Sequence, residues 1–358
     1  MLATGCGAKT GLLIPDADTS TDAGMDAGVD AGTPPDAGFD AACPDLPVSL
    51  ERSEVETVLL IDRSGSMSLS WEGLPGGTGL PSRWEIVRDT LASVLPPHDR
   101  QLALGAKIFP NGTECNVRGG LDVRPRVGAV GDILALFDRW VPEGGTPTAR
   151  ALQNTLADLD AASDVPRVFV VAMDGGPNCN EDTGVPPDMC VCTGPRRSCL
   201  APAPDGPQAC LDSAATLEIV RQAYEEQGVP VVVIGIDDPS RPDLSDFLDE
   251  MAIAGGWPRP VGEERRFYNA REPEDLGSAF GDIAELISRC VLVAPDPPPE
   301  GSTVVVRLAG ELVEQDPAHI DGWDWTDEAR GAMAFFGPAC DRLRDGDPPV
   351  EADIICAP

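Results

Sequence analysis

The chain has 358 residues, 42% of them hydrophobic, and a formal net charge of −34 at pH 7. That length admits one large domain and a small one. The charge excludes recognition of nucleic-acid phosphates, which needs Lys and Arg, and of anionic lipid head groups. It reads as a solvated surface. No run of eighteen apolar residues occurs, so no membrane-spanning helix is expected.

Leu2-Ala3-Thr4-Gly5-Cys6 has the form of the end of a bacterial lipoprotein signal, with Cys6 as the lipid acceptor. Residues 1–6 are read as a remnant of that signal, its basic segment and apolar run being expected upstream. Residues 7–42 carry four Asp-Ala-Gly triplets, at 22–24, 26–28, 30–32 and 36–38, and almost no apolar bulk. Such a stretch cannot offset its ordering entropy and reads as a flexible acidic tether. The longer G-G-x-G-x-D period of calcium-binding repeats is missing.

From residue 43 to 294 strand and helix signals alternate. Apolar runs at 55–61, 101–109, 166–172 and 229–236 predict strands, the last three nearly continuous in apolar residues or rich in Val and Ile, as for strands covered on both faces. Helical periodicity falls at 82–95, 129–140, 147–160, 213–227, 243–254 and 272–289, with a short strand near 265–269. Alternation of this kind predicts an α/β fold with a doubly wound, mostly parallel sheet. Residues 177–212 interrupt it, with seven prolines, five cysteines and neither period. So long a structureless loop needs stapling or a function.

Pro295-Asp296-Pro297-Pro298-Pro299 reads as a stiff linker. Residues 295–358 then form a small β-rich module. Strand runs 303–308 and 311–313 flank the turn Ala309-Gly310, and 334–336 and 352–355 add further strands. Trp323, Trp325, Phe335 and Phe336 are read as its core.

Eleven cysteines beside two histidines point to disulfides and a non-cytosolic compartment. Zinc would rest on Cys190-Val-Cys192, which lacks both the C-x₂-C spacing and a nearby His. Setting Cys6 aside leaves ten, enough for five bridges. Cys43 is expected to pair with Cys290, because the two ends of a doubly wound domain lie close together, and Cys340 with Cys356. Cys115, Cys179, Cys190, Cys192, Cys199 and Cys210 are expected to pair among themselves.

Chemistry concentrates in three segments. Asp62-Arg63-Ser64-Gly65-Ser66-Met67 directly follows the run Val58–Ile61. Gly144-Gly145-Thr146-Pro147-Thr148 opens a helical pattern. Asp174-Gly175-Gly176 follows Val168–Ala172. Asp62 and Asp174 fall just past strand ends, where parallel sheets place their ligands. Asp62, Ser64, Ser66, Thr146 and Asp174 offer hard oxygen donors, suited to Mg²⁺, Ca²⁺ or Mn²⁺.

At these five positions the sequence resembles the metal-ion-dependent adhesion site of von Willebrand factor A domains, of the bacterial secreted or lipoprotein type. Met173, where that family often has Thr, is a departure outside the ligand positions. The resemblance implies that Ser64 and Ser66 bind the cation directly and Thr146 does so when a ligand is present. Asp62 and Asp174 would act directly or through water. A partner protein's Asp or Glu would then complete the coordination. More weakly, the C-terminal unit resembles a β-rich module that trails some such proteins.

The expected function is therefore metal-dependent protein binding by a lipoprotein of the bacterial cell envelope, touching the membrane only through its lipid. No enzyme is expected. G-x-S-x-G and G-x-x-x-x-G-K-[ST] are both absent, and His98 and His319 occupy other segments. The alternatives are a surface scaffold with a non-essential metal site and a metal-assisted hydrolase, which lacks a positioned base. A cytosolic chelatase-type subunit conflicts with the cysteines.

Overall fold

The computed structural model describes residues 46–355 except 53, 76–78, 160–164, 181–185, 187, 195, 203–204, 237–240, 300–301 and 347. Cys6, the tether at 7–42, Cys43 and Cys356 lie outside the described residues.

In chain order the elements begin with β1 (Leu46–Val48), β2 (Glu56–Asp62), α1 (Arg83–Val94), β3 (Ala103–Phe109), β4 (Val123–Arg126) and α2 (Val130–Arg139). Next come α3 (Thr148–Asp158), β5 (Arg167–Met173), α4 (Arg196–Cys199), α5 (Asp205–Gln208), α6 (Ser213–Arg221), β6 (Val231–Ile236) and α7 (Pro242–Ala254). The remainder are β7 (Tyr268–Ala270), α8 (Pro273–Glu285), β8 (Val291–Val293), β9 (Thr303–Leu308), β10 (Glu311–Val313), β11 (Gly322–Asp327), β12 (Ala332–Phe336), α9 (Gly337–Gly346) and β13 (Val350–Ile355).

The central sheet has six strands in the order β4-β3-β2-β5-β6-β7. All its pairings are parallel except that of β3 with β4. The period of two along β2 explains how it is sandwiched. Leu59 and Ile61 face a core shared with Trp84, Val87 and Leu91 of α1 and with α2 and α8. Val58 and Leu60 face the opposite core, with Leu152 of α3, Val220 of α6 and Phe247 of α7. Each fully buried Leu or Ile contributes roughly 1.5–3 kcal/mol, so two covered faces make the sheet a rigid platform.

β4 departs from expectation. Val123-Arg-Pro-Arg126 has one buried residue and carries a Pro, which suits it only to the sheet edge it occupies. The 177–212 insertion contains two single-turn helices, α4 and α5, too short to leave a period in the sequence.

The C-terminal residues build two antiparallel sheets, ordered β1-β13-β9-β10 and β11-β12-β8. Both recruit strands from before residue 295. β1 pairs with β13, and β8 pairs with β12. A helix, α9, also belongs to this module. Alternation along β12 divides its aromatics. Phe335 joins Trp323 in the module core, with Trp325 packed alongside, whereas Phe336 meets Trp257 of the main domain edge to face at 6.1 Å.

The cysteine scheme needs one correction. Cys290 bonds to Cys340, not to Cys43, so Cys340 is not paired with Cys356 either. The cause is the β8–β12 ladder. Cys290 immediately precedes β8, Cys340 lies one turn into the helix that follows β12, and the pairing draws them together. The six loop cysteines do pair among themselves, as Cys115–Cys179, Cys190–Cys210 and Cys192–Cys199.

Candidate metal centre

Parallel pairing of β2 with β5 aligns Ile61 with Ala172, so the chain leaves both strands at the same edge. Asp62 and Asp174 are thereby set side by side and buried. Asp62 closes a tight turn, its Oδ1 accepting the backbone N–H of Ser64 at 2.7 Å. A 3₁₀ turn at Gly65–Ser68 then curls the chain back. The Ser64 and Ser66 hydroxyls lie 2.9 Å apart, and Ser66 Oγ donates to Asp174 Oδ1 at 2.8 Å. Four of the five predicted donors thus form one connected set.

Thr146 reaches the same edge by a different route. Gly65 N–H donates to Gly144 O at 2.9 Å, stitching the Thr146 loop to the serine turn. Gly144 has φ +83°, and a Cβ there would lie 2.3 Å from Glu114 O. At Gly145 a Cβ would meet Cys179 Sγ at 2.6 Å and Asn178 Oδ1 at 2.7 Å. Gly145 thus passes against the Cys115–Cys179 bridge, and Gly144 against the Glu114 carbonyl. Thr146 is then fixed on both sides. Its N–H donates to Asn178 Oδ1 at 2.7 Å, and its carbonyl accepts from Asn178 N–H at 2.9 Å.

Sequence reasoning missed Asn178, Arg63 and Arg83. Arg63, between Asp62 and Ser64, is wholly buried. Its guanidinium donates to Pro110 O, to Val141 O at 2.6 Å and to Gly112 O at 3.0 Å, and it stacks over Trp140. It ties two neighbouring loops to the site. Arg83 is the first residue of α1, where Ser82 and Glu85 form a reciprocal cap. Helical side chains lean toward the N-terminus, and Arg83 Nη1 meets Asp174 Oδ2 at 2.7 Å. Nothing in an Arg within a turn or at a helix start marks it for these contacts; only the carboxylate of Asp174 could have hinted at a nearby cation.

The electrostatics are uneven. Both oxygens of Asp174 have donors, whereas Asp62 Oδ2 is buried with no hydrogen-bond partner. Burial first, then the negative charge of Asp174, holds the Asp62 carboxyl well above the usual carboxylate range. A buried carboxyl left this way is satisfied either by a proton or by a cation. An acceptor without a donor, two hydroxyls and a second carboxylate within one hydrogen-bonded set fit a hard divalent ion, which Asp62, Ser64, Ser66 and Asp174, with Thr146 on the adjoining loop, would hold.

Cys190, Cys199 and Cys210 place their sulfurs within 4.8 Å of one another. All three are in disulfides, so they offer no thiolate for zinc. The two histidines are engaged elsewhere. His98 follows α1 at the far end of the sheet, and His319 stacks on Phe336 at 3.9 Å.

No protein-family model and no curated protein sequence matches the chain. Solved structures do resemble it. The PilB minor pilin from Streptococcus sanguinis aligns at 17% identity over 66% of this chain and 62% of its own, with a TM-score of 0.45. The pilus adhesin SpaC from Lactobacillus rhamnosus GG aligns at 16% identity over 85% of this chain and 39% of its own, with a TM-score of 0.45. The vWF domain of the type V pili tip protein Mfa5 from Porphyromonas gingivalis aligns at 14% identity over 68% of this chain and 96% of its own, with a TM-score of 0.39. The chain thus spans under two thirds of the pilin and the adhesin.

Proposed function

We propose that this protein binds another protein through a divalent cation held by Asp62, Ser64, Ser66, Thr146 and Asp174, as the resemblance to von Willebrand factor A domains implies. The observation that carries this reading is the buried, unpartnered Oδ2 of Asp62 within a connected set of oxygen donors. A bound Mg²⁺, Mn²⁺ or Ca²⁺ would supply a Lewis-acidic position open to a partner's Asp or Glu carboxylate. The chain's own residues hold and orient the donors. Asp62 is the inner carboxylate, and Asp174 keeps Ser66 turned inward.

The loops around the centre also suit contact with a protein. Val141, whose carbonyl accepts from Arg63, and Met189 and Leu200 of the 177–212 insertion are each about 70% exposed (69%, 72% and 69%). Exposed large apolar side chains on loops are the kind of surface that protein interfaces bury. Among the described residues, no helix is long and apolar enough to cross a membrane. Attachment to the cell envelope through lipid on Cys6, with 7–42 as tether, completes the proposal.

Calorimetric titration of Mg²⁺ or Mn²⁺ into the full chain tests it. One cation per chain should bind, and Asp62→Ala should abolish uptake with the circular dichroism spectrum unchanged. A folded wild type that takes up none of Mg²⁺, Mn²⁺ or Ca²⁺ at millimolar concentration sinks the reading and leaves the scaffold alternative.

A further inference from the structure

Two arginines flank the centre, and they are satisfied differently. Arg63 is saturated: its Nε, Nη1 and Nη2 all donate to backbone carbonyls, and Glu143 lies 3.3 Å from Nη1. That is the pattern of a loop clamp. Arg83 has one close partner, Asp174 Oδ2 at 2.7 Å, and only a marginal contact of Nη2 with Trp71 O at 3.5 Å. Its Nε is buried with no partner. A guanidinium enclosed at that cost, and aimed at a single carboxylate, acts on that carboxylate's charge.

The charges at the centre make the consequence specific. With a cation bound, the carboxylates of Asp62 and Asp174 together contribute −2, and Arg83 carries one positive charge beside Asp174. The set sums to −1 rather than −2. A divalent cation therefore sits in a site of net +1, where without Arg83 the same ion would be neutralised. An arriving carboxylate is attracted to the first and indifferent to the second.

We propose that Arg83 is a specificity-determining residue of this centre: by neutralising Asp174 it weakens the hold on the cation and strengthens the hold on a partner's acidic side chain. This rests on the metal-dependent reading above. The ligand class follows from the charge: an Asp or Glu side chain is preferred over neutral oxygen donors such as Asn, Gln or hydroxyls, because only an anion uses the surplus.

Mn²⁺ titration of the full chain, followed by electron paramagnetic resonance, tests the cation half. Acetate competing for the Mn²⁺ water positions, followed by water-proton relaxation, tests the carboxylate half. Arg83→Gln should tighten Mn²⁺ about tenfold, the scale on which groups just outside a metal shell act, and weaken acetate correspondingly. Arg83→Lys should stay near wild type. In an Asp174→Asn background, Arg83→Gln should tighten Mn²⁺ less than it does in the wild type, since the contact through which Arg83 acts is already gone. Arg83→Met, of similar length and uncharged, replaces Arg83→Gln if that variant fails to fold. Unchanged or weakened Mn²⁺ binding in the uncharged variants overturns the assignment while leaving the metal site standing. A wild type that binds no Mn²⁺ overturns the site and this inference together.

Discussion

The carboxyl edge of the parallel sheet and the C-terminal module solve opposite problems with similar means. The module closes on an apolar core, and the buried polar atom it leaves without a partner among the described residues, His319 Nδ1, carries no formal negative charge. Trp323 and Phe335 fill a closed apolar core, Trp323 Nε1 donates to Val313 O at 3.2 Å, and Cys290–Cys340 ties its helix to β8. The sheet edge, by contrast, buries two carboxylates together, leaves one oxygen without a donor, and still spends three disulfides on the loops around it. Rigidity in the module serves stability. At the edge it holds an unfavourable arrangement in place, which is how binding sites are preorganised.

The largest expected effect separates these two uses of a disulfide. Cys290–Cys340 closes 50 residues and Cys115–Cys179 closes 64, so loop entropy gives each about 4 kcal/mol. Replacing either pair by Ser should lower the denaturant midpoint alike. Only loss of Cys115–Cys179 should also weaken Mg²⁺, by roughly tenfold, because that bridge backs Gly145 and Thr146. Equal Mg²⁺ affinity in both variants would erase the distinction.

Next in size is a pH effect confined to the edge. The Asp62 carboxyl titrates above its unfolded value of about 4. A raised folded value means that the native state holds the proton more tightly. This contribution to stability is present in full below the unfolded value and is lost as pH rises through the folded one. In EDTA, wild type should therefore lose stability relative to Asp62→Asn as pH climbs from about 4 toward neutrality, by roughly 1–3 kcal/mol. Saturating Mg²⁺ should reverse the order, since the cation favours the charged carboxylate. Parallel urea midpoints across that range, with and without Mg²⁺, would show that Asp62 is not strained.

The smallest effect probes how Arg83 is delivered. Ser82 caps α1 by accepting from Glu85 N at 3.2 Å, while Glu85 Oε2 accepts from Ser82 N at 2.8 Å. Ser82→Ala should cost about 1 kcal/mol by thermal or urea unfolding. Its first turn carries Arg83, so a fraying cap should also shift Mn²⁺ affinity in the direction of Arg83→Gln, and by less. A stability loss with no such shift would mean that the cap does not position Arg83.

The sequence by itself determined the layered sheet and the addresses of the oxygen donors. Both are local. Continuous apolar runs bury two faces wherever they are placed, and Asp62 and Asp174 sit one and two residues beyond such runs. The loop cysteines could be grouped because they crowd one insertion. Long-range choices were beyond it. Cys290 takes Cys340, fifty residues away, because β8 joins β12, a pairing of short, sequence-distant strands that no periodicity encodes. The split of Phe335 and Phe336 between two cores depends on which sheets flank β12. Asn178, Arg63 and Arg83 became parts of the site only through tertiary structure. A hydrogen bond needs atoms about 3 Å apart, and that proximity is created when separate loops converge at one sheet edge.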